Sequence, residues 1–156
     1  MGMFDEIKCR YPLPVEVANA LDYQTKDTPA QYCDLYEIRE DGTLWHEDYD
    51  TEDHSEAAKW KAANPGKELP EELKGWRSFC GCMTRVNKRW EQVADFIGEL
   101  RFYTTLPPKH SGWIEWSAYF EAGKLVRLNL IEHRNADAPN DQHQPRAIRA
   151  SAGCNC

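Results

Sequence analysis

The sequence predicts an α+β protein: an antiparallel sheet of about five to seven strands, one or two packed helices and a polar helical insert. Three observations carry this. Residues 113–133 alternate apolar and polar on both sides of a glycine-bearing turn. An Asp-Gly turn joins two shorter alternating runs across 36–50. Over 51–80 the alternation gives way to a polar, alanine-bearing stretch with a helix start and a Pro-Gly stop. A chain of 156 residues, 41 % hydrophobic and 12 % aromatic, can bury the core of one domain. That domain is expected over 1–133 with 51–80 as its insert, and 134–156 reads as a C-terminal tail because apolar periodicity stops there.

In chain order, FDEIKC (4–9) reads as a strand ended by the YPLP turn. VEVANAL suggests one or two helical turns, and YQTKD an extended run. In DLYEIRE, Tyr36 and Ile38 share a face, Asp41-Gly42 turns the chain, and TLWHEDYD returns as a strand. SEAAKWKAAN is a helix capped by Ser55 and stopped at Pro65-Gly66, and Pro70 opens a further helical turn. In 83–97, Met83, Val86, Trp90, Val93, Ala94 and Ile97 fall on one helical stripe, which favours helix; a strand entering a hairpin at DFIG is the alternative. ELRFYTT is a strand with Leu100 and Phe102 inward. For the final hairpin, a three-residue loop Glu121-Ala122-Gly123 sets Ala118 opposite Val126, Trp116 opposite Leu128 and Ile114 opposite Leu130, which matches apolar faces.

The net charge of −7 is unevenly spread: residues 40–56 hold eight acids and no Lys or Arg, so the remainder sums to +1. Without clustered Lys and Arg, direct nucleic-acid binding and an anionic membrane surface are disfavoured. The start has no apolar signal region, and no apolar run approaches membrane-spanning length. A cytoplasmic protein with reduced cysteines is expected, with Cys9 and Cys33 as small buried apolar residues.

Four groups of residues could carry chemistry. Glu47, Asp48, Asp50, Glu52 and Asp53 form an acidic patch that a basic protein surface could read; the plainer reading is a solvated loop. His46, Asp48, Asp50 and His54 have the residue types of a divalent-cation site, as a metal-dependent hydrolase requires, but no fixed-spacing motif holds them. Cys80, Cys82, Cys154 and Cys156 form two Cys-x-Cys pairs that could hold zinc, at a spacing tighter than usual; Cys80 or Cys82 with His110 or His133 could be written as a nucleophilic dyad, without a catalytic signature. Arg10, Tyr11, Gln24 and Lys26, with Thr25 and Asp27, mix cationic, aromatic and amide groups of the kind that hold a small nucleotide. A polar loop is the plainer reading there too.

FDEIKCRYPLP, YQTKD (23–27), YEIREDGTLWHEDYD (36–50), GELRFY (98–103) and WIEWSAYFEAGKLVRLNLIEH (113–133) together resemble a group of small phage and prophage proteins that commonly begin MGMFDEI-x-C-x-YPLP. The resemblance is scattered over 1–133 and omits the tail and most of the 51–80 insert. It brings no catalytic residue with it. It implies an accessory gene product of a temperate phage, working in the bacterial cytoplasm by binding and inhibiting a host protein, in the manner of an anti-defence factor, or by sequestering a nucleotide signal.

Overall fold

A computed structural model describes residues 3–76, 82–107 and 112–135, and the backbone of 147–149. The protein is mostly sheet, with one α-helix among the described residues. The strands are β1 (Asp5–Cys9), β2 (Asp22–Thr25), β3 (Leu35–Ile38), β4 (Leu44–Asp53), β5 (Met83–Gln92), β6 (Gly98–Leu106), β7 (Gly112–Glu121), β8 (Lys124–Arg134) and β9 (Ala147–Arg149); the helix α1 is Glu56–Ala63. Their order is β5-β4-β3-β1-β2-β6-β7-β8-β9, nine strands where about five to seven were expected. The excess arises at 83–92, where the sequence favoured a helix, and at 147–149, which was read as tail. The chain divides into two compact units: Met1–Glu47 with Trp90–Cys156, and Asp48–Arg89.

In the first unit the apolar residues lie on one face. β1 alternates buried and exposed, with Asp5, Ile7 and Cys9 inward, and β2 does the same with Tyr23 and Thr25. β1 runs antiparallel to β2 and parallel to β3. The core gathers Ile7, Tyr23, Ile38, Leu44, Phe102, Trp116 and Phe120, and it contains no residue of α1. The curved sheet wraps it, together with Leu13, Val15, Leu21, Val93 and Phe96 of the connecting segments. Thr43 and Lys124 form a bridge, the Leu44 N–H donates to the Gly123 carbonyl at 2.9 Å, and the Leu125 N–H donates to the Gly42 carbonyl at 2.8 Å. These bonds join the start of β4 to the start of β8, so the strands from β4 through β3, β1, β2, β6 and β7 to β8 close on themselves, as in a small barrel. Segment 93–96 packs into the seam: the Val93 N–H donates to the Leu44 carbonyl, and the Phe96 carbonyl accepts from the Gly123 N–H. A short 3-10 turn over Glu16–Ala20 adds buried Ala18 to the core.

The two hairpins turn as their glycines require. In the first, the Gly42 N–H donates to the Arg39 carbonyl and Gly42 has φ +82°, a left-handed position that glycine takes at least cost. The second departs from the expected register. Its loop has two residues, Ala122 and Gly123, both at positive φ, and Glu121 pairs with Lys124. Ala118 faces Leu128 and Trp116 faces Leu130, because a register shift at Tyr119/Phe120 absorbs the mismatch; a second shift at Glu115/Trp116 then sets Ile114 opposite His133. The first shift skips Val126, which is 42 % exposed, whereas Leu125 and Leu128 are buried. A bulge restores apolar pairing after a turn whose twist suits the strands, so the longer loop is not needed.

The helix expected over 83–97 is a strand to Gln92 followed by a turn at Ala94–Asp95. Its half-buried residues, Val86 and Trp90, are four apart, a spacing that serves a strand face as well as a helix stripe. Nor does it enter a hairpin with β6, which pairs with β2 and β7. In the second unit, Ser55 caps α1 as its sequence predicts, accepting from the Ala58 N–H at 3.0 Å. Pro70 precedes a 3-10 turn at Glu71–Leu73.

Cys9 is buried as expected, but Cys33 is exposed and sits at φ 59° in the loop before β3. Burial pushes the Cys9 thiol up to about 12. An alkylating reagent at pH 8 should therefore modify Cys33 and spare Cys9 until the chain unfolds, which peptide mass mapping checks. The unfolded thiol ionises first as pH rises. Its raised native value therefore costs no stability below about pH 9 and lowers stability progressively above it.

Candidate functional site

Polar side chains cluster in both units. In the second unit, the part of β4 from Asp48 to Asp53 carries acids that become exposed from Asp50 onward. Arg89 of β5 forms ion pairs with both Asp48 and Asp50, and the Asn87 side-chain amide donates to Asp50 at 3.1 Å. The Asn87 amide and then the Arg89 guanidinium hold the Asp50 carboxyl below its ordinary value. Glu52 lies 3.4 Å from His54 and both are more than half exposed. The Asp53 carboxylate accepts from the Ser55 N–H at 2.9 Å, which lowers its pKa and fixes the residue that caps α1. Arg85 lies 4.3 Å over the Tyr49 ring. The unit thus sets acids on β4 beside bases on β5. Its sequence holds eight acids and eight Lys or Arg, so the acidity that looked concentrated along the chain is balanced within the unit.

The proposed cation ligands do different things. His46 belongs to the first unit, where its Nε2 lies 3.1 Å from the buried carboxylate of Asp34 and its ring packs 4.7 Å from Tyr36. Asp34 is anchored in turn, its N–H donating to the buried carboxylate of Asp5 at 2.8 Å, and Thr28 donates to the other Asp5 oxygen. Asp48 and Asp50 meet Arg89, and His54 meets Glu52. Among the described residues no group of three His, Cys, Asp or Glu is arranged to hold a metal ion. Of the cysteines proposed for zinc, Cys82 is half-buried, while Cys80, Cys154 and Cys156 lie outside the described residues, as does His110.

The proposed ligand residues of the first unit separate into two places. The antiparallel register pairs Gln24 with Glu6 and Asp22 with Lys8, so Arg10 and Tyr11 stand at the opposite end of β1 from Gln24 and Lys26. Four residues of strand amount to roughly 13 Å. The Lys26 carbonyl accepts from the Gln31 side chain in the loop that Asp5 ties down.

Arg10 instead joins residues that the sequence reading did not single out. Glu37, at 10 % side-chain exposure, receives the Arg10 Nε at 3.1 Å and has the Arg39 Nε at 3.3 Å from its other oxygen. The Arg39 guanidinium lies 3.5 Å over the Trp45 ring. The Trp45 indole N–H donates to the Thr43 hydroxyl at 2.7 Å, and that hydroxyl donates to Asp41 at 2.6 Å. Thr43 thereby holds the Asp41 carboxyl below its ordinary value. Arg10, Glu37, Arg39, Glu40 and Asp41 line an open depression of about 340 Å³. The available signal was alternation: Glu37, Arg39 and Trp45 all fall on the outward phase of the 36–50 hairpin.

No protein-family model matches the chain, and no curated protein or solved structure matches it. Among the described residues no helix is long and apolar enough to cross a membrane.

Proposed function

We propose that this is a phage-type accessory protein that acts by binding a host protein, and that the acids of β4 meet a basic patch on that partner. The supporting observation is the exposure of Asp50, Glu52 and Asp53 along the outer part of β4. Exposed charges of this kind steer association and select partners more than they supply affinity. Arg89 already offsets Asp48 and Asp50, which leaves Glu52, 57 % exposed, as the acid best placed to contribute to a partner. Phage context rests on the resemblance of residues 1–133, and inhibition is the mode of action it suggests.

The geometry sharpens the test. Asp53 fixes the cap of α1 and Asp48 pairs with Arg89, so reversing either charge mixes folding with binding. Glu52→Lys avoids both. Affinity purification from bacterial lysate at low salt, read by quantitative mass spectrometry, should retain a partner with the wild-type protein. The Glu52→Lys variant should lose about tenfold of it, as a reversed exposed charge slows association. Retention of the same partner at the same level by both proteins would overturn the reading.

A further inference from the structure

We propose that the depression formed by Arg10, Glu37, Arg39 and Glu40 binds a small zwitterion, a free amino acid or a close analogue, with its carboxylate on the two arginines and its ammonium at Glu40. The floor is built before any ligand arrives. One mostly buried carboxylate, Glu37, takes the Nε of both arginines. This leaves the terminal guanidinium nitrogens of Arg10 and Arg39 without a hydrogen bond or ion pair among the described residues. Arg39 is further fixed flat on Trp45, whose indole is held through Thr43 to Asp41. A guanidinium held by one edge offers its other edge to a planar carboxylate, and little side-chain freedom is left to lose.

A purely structural tie between strands needs one arginine on Glu37. The second one commits another flexible side chain, with about 2 kcal/mol of rotamer entropy. Charge then selects the class of ligand. Two arginines against Glu37 leave the floor with one positive charge. At the rim, one oxygen of Asp41, Oδ1, accepts from both the Thr43 N–H and hydroxyl, which ties that side chain back to its own turn, while Glu40 makes no ion pair among the described residues. A positive floor beside a negative rim suits a molecule with one carboxylate and one ammonium. A polyphosphate would meet Glu40 and Asp41 as like charges. The volume, about 340 Å³, fits a small molecule and falls at the low end of ligand pockets.

The test is an NMR titration that follows the Trp45 indole and the Arg39 Nε resonances, with glycine, L-alanine and L-glutamate as zwitterions. Acetate, methylammonium and ADP serve as the carboxylate, ammonium and polyanion arms. Saturable shifts with at least one amino acid are expected, with acetate at least about tenfold weaker. Arg10→Gln, at a side chain 62 % exposed, should abolish the response. Glu40→Gln should reduce amino-acid binding to the level of acetate and leave acetate unchanged. The proposal is overturned by an absence of shifts up to about 50 mM, beyond the millimolar range of weak ligands. Tighter binding of ADP than of any amino acid, or an unaltered response in Arg10→Gln, overturns it as well.

Discussion

Gly123→Ala is expected to cost about 3 kcal/mol or more, a large part of the roughly 5–15 kcal/mol that holds a domain of this kind together. Two effects add. Gly123 has φ +69°, where a Cβ costs about 1–2 kcal/mol. The new Cβ would also overlap the Val93 carbonyl oxygen and lie 2.9 Å from the Ala94 Cα, both backbone atoms of the segment that fills the seam. Overpacking of this sort costs typically 1–3 kcal/mol, and relief would pull Val93 away from Leu44 and Gly123 away from Phe96. Gly66→Ala is the control: its φ of +79° is as unfavourable, yet nothing lies within 4 Å of its Cβ. In urea unfolding, Gly123→Ala should lower the midpoint well beyond Gly66→Ala, with similar slopes. Equal shifts would mean that the backbone angle alone matters and the seam is loose.

Trp116→Ala should cost about 3–5 kcal/mol, the range for truncating a fully buried large aromatic. Trp116 is fully buried and is the largest such side chain, and it faces Phe102 on β6 and Leu130 on β8. The core holds no residue of α1, so among the described residues no α-helix can slide in to refill the space, and the site should relax poorly. Trp116→Phe keeps most of the apolar area and should cost about half as much or less, since the loss scales with the volume left empty. Loss of near-ultraviolet dichroism with retained far-ultraviolet signal would accompany the alanine variant if packing fails before pairing.

The hairpins were legible because their signals are local: Asp41-Gly42 and the glycine of Glu121-Ala122-Gly123 mark the two turns, though not the second loop's length, and alternation marks the faces. Ser55 announced α1 for the same reason. The register of β7 with β8 was misread because alternation assumes an unbroken pleat, and the skipped Val126 breaks it. Val86 and Trp90 of β5 satisfied two periods at once. Closure was not legible at all. It rests on backbone bonds from Gly42 and Leu44 to Leu125 and Gly123, groups that leave no mark in side-chain pattern.

The candidate sites divide the same way. The acids of β4 stood out as a run, but their neutralisation by Arg89 depends on a strand about forty residues away that the helical stripe disguised. Arg10 and Tyr11 were paired with Gln24 and Lys26 because they are polar and close along the chain. The antiparallel register of β1 and β2 separates them, and the parallel partner β3 supplies Glu37 and, just beyond it, Arg39 instead. A parallel neighbour is the hardest contact to see from sequence, since no tight turn marks it.

The closed seam positions both the core and the Arg10–Arg39 depression, and amide hydrogen exchange tests it most directly. The bonds there predict that the Leu44, Gly123 and Leu125 amides exchange as slowly as those of Ile7 and Trp116 in the strand core, through the same global opening. Exchange of the three seam amides as fast as that of Glu68 and Leu69, in the polar loop after α1, would show an open sheet and contradict the closure.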